Sequence, residues 1–166
     1  REDTPVEQFT KTHFDFDKLP WLTNPRHQLH LEAVALGFIR LPKGQGYTFT
    51  HRHREQEEVY IVIEGTGAIL LNGTLLDLKR GDAVRVPPTT SRALRASDTE
   101  DLLVICAGAV SAGFPHNPSA RFLNGDGIPD YEDIPPWYAG QPEIQQKNAA
   151  LKERMLLARA RRNEAR

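Results

Sequence analysis

The chain of 166 residues has almost no cysteine: Cys106 stands alone, which excludes an internal disulfide. It sits inside "LLVICAGA", where its neighbours point it toward a core, and a reduced, cytoplasmic setting is the expectation. An excess of charge of one sign is also lacking. Lys and Arg number 21 against 22 Asp and Glu, so the formal net charge of −1 offers no basic field for nucleic acid. No apolar run approaches the roughly 20 residues that cross a bilayer, so no membrane partner is expected. No secretory segment opens the chain, and a start at Arg1 suggests a natural N-terminus that has been removed. Internal repeats are absent. No helical stretch separates the strand-like segments, which argues against βαβ units.

What is present fits one domain with a real core. Residues 1–28 show no sustained period and read as an irregular arm, in which Phe14, Phe16, Leu19 and Trp21 are apolar anchors fit to lie over that core. Residues 29–110 read as short strands and tight turns. "YTFTHRH" alternates with period two, and "EVYIVIEG" is the clearest strand because β-branched and aromatic residues suit a pleated surface. Asn72-Gly73 is a hairpin signal, since both residues tolerate positive φ. Pro87 and Pro88 close another strand. Many short strands at close spacing indicate an all-β sandwich or barrel. Residues 111–141 look like loop, with Gly and Pro throughout. Residues 142–166 read as a C-terminal helix, with Ile144, Leu151 and Met155 at helix-face spacing and an arginine-rich end that is best read as solvated.

The chemistry concentrates in "THRHREQEEVYIVIEG". Residues two apart on a strand share a face, so His51 and His53 point the same way. On the next strand Glu58, Tyr60 and Val62 share one face, and Glu57 turns to the other. If Glu58 meets the histidines, two neutral imidazoles and a carboxylate converge as a facial triad with open positions, a set suited to iron and similar divalent ions. The plainer alternative is two ordinary polar strand residues.

This stretch resembles the first motif of the cupin superfamily, a His-x-His followed by Glu and then Gly. Here His51, His53, Glu58 and Gly65 match, with four residues between His53 and Glu58 and six between Glu58 and Gly65. Gly44 and Gly46 flank the place of the leading glycine. Gly81 and Pro87 match the second motif at its spacing, but Thr89 stands for its glycine, Arg92 for its histidine and Ala96 for its asparagine. The resemblance covers roughly residues 30–110 and implies a double-stranded β-helix, or jelly roll, with the site inside the barrel. It also implies a divalent metal ion (Fe, Mn, Ni or Zn), dioxygenase- or isomerase-like chemistry on a small organic molecule, and a homodimer paired through its sheets.

Arg92 occupies the place of the usual fourth ligand, and an arginine cannot ligate because it stays protonated and has no acceptor. Two readings stay open. In one, His51, His53 and Glu58 hold the metal, Arg92 clamps a substrate carboxylate or phosphate, and Tyr60 donates a hydrogen bond or proton. In the other, the metal is lost, and Arg92, Tyr60 and the histidines bind or sense a metabolite without catalysis.

Weaker signals add little. "NGDGIPDYED" has Asn124, Asp126, Gly127 and Asp130 at calcium-loop positions, but Phe122 stands in the first and Asp133 in the last, so a turn is the better reading. The sequon Asn72-Gly73-Thr74 is better explained as the hairpin. His13, His27, His30 and His116 lack ligand spacing, and no nucleophile elbow marks a serine triad.

Overall fold

The structure is a computed structural model that describes residues 9–110 and 127–164. In chain order its elements are β1 (Leu22–Thr23), α1 (Arg26–Leu29), β2 (Ala35–Leu41), β3 (Thr50–His53), β4 (Gln56–Glu64), β5 (Thr66–Leu71), β6 (Thr74–Lys79), β7 (Ala83–Val86), β8 (Arg92–Ala96), β9 (Leu102–Val110), β10 (Gly127–Asp130) and α2 (Pro142–Glu164). The strands form two antiparallel five-stranded sheets, ordered β1-β2-β9-β4-β7 and β10-β3-β8-β5-β6. This is the jelly roll, or double-stranded β-helix, that the resemblance implies, and it falls within the sandwich or barrel that the strand pattern indicates.

Alternation decides what the sheets enclose. Along β4, Gln56, Glu58, Tyr60 and Val62 are buried while Glu57, Val59, Ile61 and Ile63 face outward. Ile39, Leu41, Ile69, Leu94, Leu102 and Val104 meet Val62 in the core between the sheets. Each such side chain contributes about 1.5–3 kcal/mol by leaving water. The polar inner residues of β4 gather toward one end of this core, and there the interior changes from packed hydrocarbon to a cavity.

Two glycines show what the turns demand. Asn72 and Gly73 both have positive φ, 48° and 85°, and close the β5–β6 hairpin as the dipeptide predicts. Gly65 also has positive φ, 78°, and a Cβ there would lie 1.8 Å from the carbonyl oxygen of Asp101. The glycine that closes the first motif is therefore fixed by a backbone crossing.

The flanks are more ordered than their composition suggests. Phe14 and Phe16 stack edge-on against Phe38, with centroids 5.0 and 5.2 Å apart. β1 adds to the edge of β2, and α1 ends at His30, whose left-handed backbone stops the helix. The strand expected from Leu29 thus begins only at Ala35. Part of the stretch expected to be loop, Gly127–Asp130, is strand β10 paired with β3. Its sequence hides this because Pro129 cannot donate to a ladder, which is tolerated only because β10 is an edge. No described helix is long and apolar enough to cross a membrane.

The two turns should respond differently to the same substitution. Gly65→Ala meets both backbone strain and the Asp101 carbonyl, and should cost about 3 kcal/mol or more. Gly73→Ala meets nothing within 4 Å and should cost only about 1–2 kcal/mol of left-handed strain. Urea unfolding of the two variants gives the comparison, and equal losses would contradict the crossing.

Candidate metal centre

β3 belongs to one sheet and β4 to the other. The inward side chains of β3 meet those of β4 across the barrel. His51, His53 and Glu58 each offer a ligand atom, all within 4.8 Å of one another. The imidazoles lie edge to face with centroids 5.3 Å apart, and His53 Nε2 is 3.1 Å from Glu58 Oε1. His53 and Glu58 are buried, whereas His51 keeps some exposure.

Glu58 is the hub. Gln56 Nε2 donates to its Oε1 at 3.0 Å and the Tyr60 hydroxyl donates to its Oε2 at 2.6 Å. Residues 56, 58 and 60 share a face of β4, so a single strand supplies the carboxylate and two of its donors. The Gln56 amide fits because Gly108, the cross-strand partner of Glu58, has no side chain: a Cβ there would come within 2.7 Å of Gln56 Nε2. Gln56 is a site residue that the reading above passed over, although its alternation with Glu58 was visible.

Arg92 is the fourth partner. It opens β8 directly across from His51 and is fully buried. Its Nη2 lies 3.4 Å from Glu58 Oε2, while Nη1 donates to the carbonyls of Thr90 at 2.9 Å and Pro88 at 3.3 Å. Longer contacts of 3.5 Å reach the carbonyls of His51 and Pro87. The guanidinium is committed behind Glu58 and does not line the cavity. Its terminal nitrogens hold the β7–β8 turn and the carboxylate, while its buried Nε has no hydrogen-bond partner among the described residues.

Electrostatics follow from this packing. Burial alone would raise the Glu58 carboxyl, but the hydrogen bond from His53 and the charges of His53, His51 and Arg92 hold it below the usual carboxylate range. Burial drives His51 down to about 3, with Glu58 opposing and Arg92 adding to the fall, so its imidazole is neutral at pH 7. Burial and Glu58 push the Tyr60 hydroxyl well above its ordinary value, which keeps it a donor. The same two causes raise the Cys106 thiol, paired across from Tyr60 on β9. The structure thus presents two imidazoles, one of them held neutral, beside an ionised carboxylate.

A cavity of about 310 Å³ opens over these groups. His51, His53, Gln56, Glu58, Tyr60 and Cys106 form its polar floor, and Ile39, Tyr47 and Phe49 form part of its wall. Trp21 and Leu22 from the arm and Lys147 and Leu151 from α2 complete it. The sequence gives no sign that the two ends of the chain meet here.

Residues 37–108 match the family model of the cupin domain. The barrel is a cupin. Among solved structures, a cupin protein from Bacteroides fragilis superposes with a TM-score of 0.59 at 22% identity, covering 67% of this chain and 92% of its own. A protein from Photorhabdus luminescens gives a TM-score of 0.54 at 17% identity, covering 61% and 88%. An uncharacterized protein from Methanocaldococcus jannaschii is 30% identical over 59 residues, which is 36% of this chain. The match spans 47% of that relative, about half its length.

Within the cupin, the donor set suits a divalent cation. Ligand bonds of about 2.1 Å place the donors of a facial set about 3 Å apart, so a group within 4.8 Å of one another needs only side-chain adjustment to converge on one ion. The calcium-loop positions Phe122, Asn124 and Asp126 lie outside the described residues. Of the others, Asp130 accepts from the backbone N–H groups of Glu132 and Asp133, and Asp133 accepts from the Thr50 hydroxyl at 2.6 Å, as in a structural turn. Asn72 likewise caps Ser91 N–H from the hairpin. His13, His27 and His30 are exposed, and His116 lies outside the described residues.

Two measurements test this electrostatic frame. Arg92→Met strands a buried carboxylate and several carbonyls, and should cost about 3–5 kcal/mol in urea unfolding. For pH, the folded His51 binds its proton far more weakly than an unfolded histidine of pKa 6.5, so the unfolded state takes up protons first as pH falls. Stability of chelator-treated protein should therefore drop from about pH 6.5 downward at roughly 1.4 kcal/mol per pH unit from this group, a slope that His51→Phe removes. An unchanged slope in that variant would contradict the burial of a neutral His51.

Proposed function

We propose that His51, His53 and Glu58 hold a divalent cation and that the cavity above them takes a small organic molecule. The observation that carries this reading is the convergence of two imidazoles and one ionised carboxylate on the floor of a ligand-sized cavity. Iron, manganese, nickel and zinc all suit this donor set. Such an ion supplies Lewis acidity or oxygen activation, the basis of isomerase- and dioxygenase-like reactions.

The chain's own residues have distinct roles in this proposal. Glu58 brings the negative charge that attracts the cation, and Arg92 keeps that carboxylate ionised and aimed. Tyr60 stays protonated and offers a hydroxyl donor at the floor, where it steadies Glu58 or a substrate oxygen. Ile39, Tyr47 and Phe49 exclude water from the reacting end of the molecule.

A second reading has a specific observation in its favour. Arg92 already neutralises Glu58 within 3.4 Å, so the barrel is electrostatically complete without a cation and suits a binder or sensor of a metabolite.

Elemental analysis of protein never exposed to a nickel column separates the two. The metal reading expects close to one ion per chain in the wild type and at least a tenfold loss of occupancy in the His51→Ala, His53→Ala double variant. Wild-type protein free of metal, and bound by small acids equally well with and without chelator, supports the second reading. Undiminished metal in the double variant refutes the ligand assignment.

A further inference from the structure

The cavity is divided by chemistry. His51, His53, Gln56, Glu58 and Tyr60 form one polar cluster in its lining, and most of the remaining lining is apolar, with Asn24 and Thr48 as further polar residues. Apart from the histidines, the cationic side chain that lines it is Lys147, which is exposed and reaches the rim from α2. Arg92 does not contribute, since its guanidinium is committed behind Glu58.

Lys147 also differs from Lys152, the next lysine along α2. Lys152 is tied to Glu132 at 2.5 Å, whereas Lys147 has no ion pair among the described residues. Its position is well defined all the same. The neighbouring Asn148 is buried and donates to the carbonyls of Thr48 at 2.7 Å and Tyr131 at 3.0 Å, which pins this turn of α2 to the barrel. Leu151, one turn on, lines the same wall. The turn of α2 that carries Lys147 is thus fixed beside a largely apolar cavity wall, and the ammonium has no ion pair among the described residues.

We propose that the cavity takes a small molecule with an apolar body and an anionic end, and that Lys147 is the residue that selects the anion. This rests on the reading of the cavity as the ligand site. The anion meets the ammonium at the rim, the hydrocarbon lies along Leu151 and Trp21, and the other end reaches the polar floor. At about 310 Å³ the cavity accepts a molecule at the small end of the usual ligand range. The segments that shape the rim, around Trp21 and Lys147, lie outside residues 37–108, so specificity is assigned to the flanks and the floor chemistry to the barrel.

Calorimetry with octanoate, 1-octanol and octylamine tests the assignment, using the full chain in metal-loaded and chelator-treated form. Octanoate should bind about tenfold more tightly than 1-octanol in both forms, a charge-assisted contact at a partly exposed site. Lys147→Gln should abolish that preference with an unchanged melting temperature, and Lys147→Glu should shift it toward octylamine. The proposal is overturned if octanoate binds neither form, if its preference survives Lys147→Gln, or if the preference exists only with metal bound, which would seat the carboxylate on the ion. Metal content measured on the same samples keeps the two readings apart. A metal-free wild type with a Lys147-dependent preference refutes the metal and leaves this inference standing. A metal-loaded wild type indifferent to Lys147 does the reverse.

Discussion

A carboxylate buried between two sheets is the constraint around which this end of the barrel is arranged. Glu58 loses its water, and an unpaired charge in that position would cost several kcal/mol. The surrounding residues answer that cost one lone pair at a time. Gln56 and His53 approach one oxygen, and Tyr60 and Arg92 approach the other. Each partner imposes its own requirement. Gln56 needs the missing side chain at Gly108, and Arg92 needs the carbonyls of Thr90 and Pro88 to absorb its remaining donors. The turn that carries Pro87 and Pro88 is therefore part of the same polar unit as the ligands.

Arg92 bears on the cation in two opposing ways. It lowers the charge of the cage, which weakens attraction for an ion. It also holds Glu58 ionised and oriented, which preserves the ligand. Distance and charge decide between them. A dication about 2.1 Å from the carboxylate has roughly three times the Coulomb attraction of a single charge 3.4 Å away, at the same effective dielectric. An incoming ion can therefore outcompete the guanidinium for Glu58, while the guanidinium keeps its hydrogen bonds to the turn. An arginine at this position would make a weaker metal site than a histidine as fourth ligand, but it would not close the site.

The sequence disclosed the floor of the cavity and hid its roof. His51, His53, Glu58 and Tyr60 could be placed on shared faces because a strand has a side-chain period of two, and the structure brings them together as that period requires. The hairpin at Asn72-Gly73 was legible because its chemistry is local. Arg92 was legible in position but not in role, since a long side chain with five donors can end in many places, and only the carbonyls of the folded turn decide which. β10 was hidden because Pro129 argues against a strand until an edge position removes the objection. Trp21 was legible as an apolar anchor but not as a cavity residue, and Lys147 carried no signal, because residues 126 positions apart come to line one cavity only through tertiary packing.

Floor and roof are nevertheless mechanically joined. Thr48, whose carbonyl receives Asn148, lies on the chain that leads directly into β3 and its two histidines. Tyr131, the second acceptor of Asn148, follows β10, which pairs with β3 from the other side. The helix that carries Lys147 is thus latched to both segments that flank the histidine strand, and its buried amide cannot leave them without stranding two carbonyls away from water. The helix and the histidine strand are thereby held in register by one side-chain amide that donates to two main-chain carbonyls.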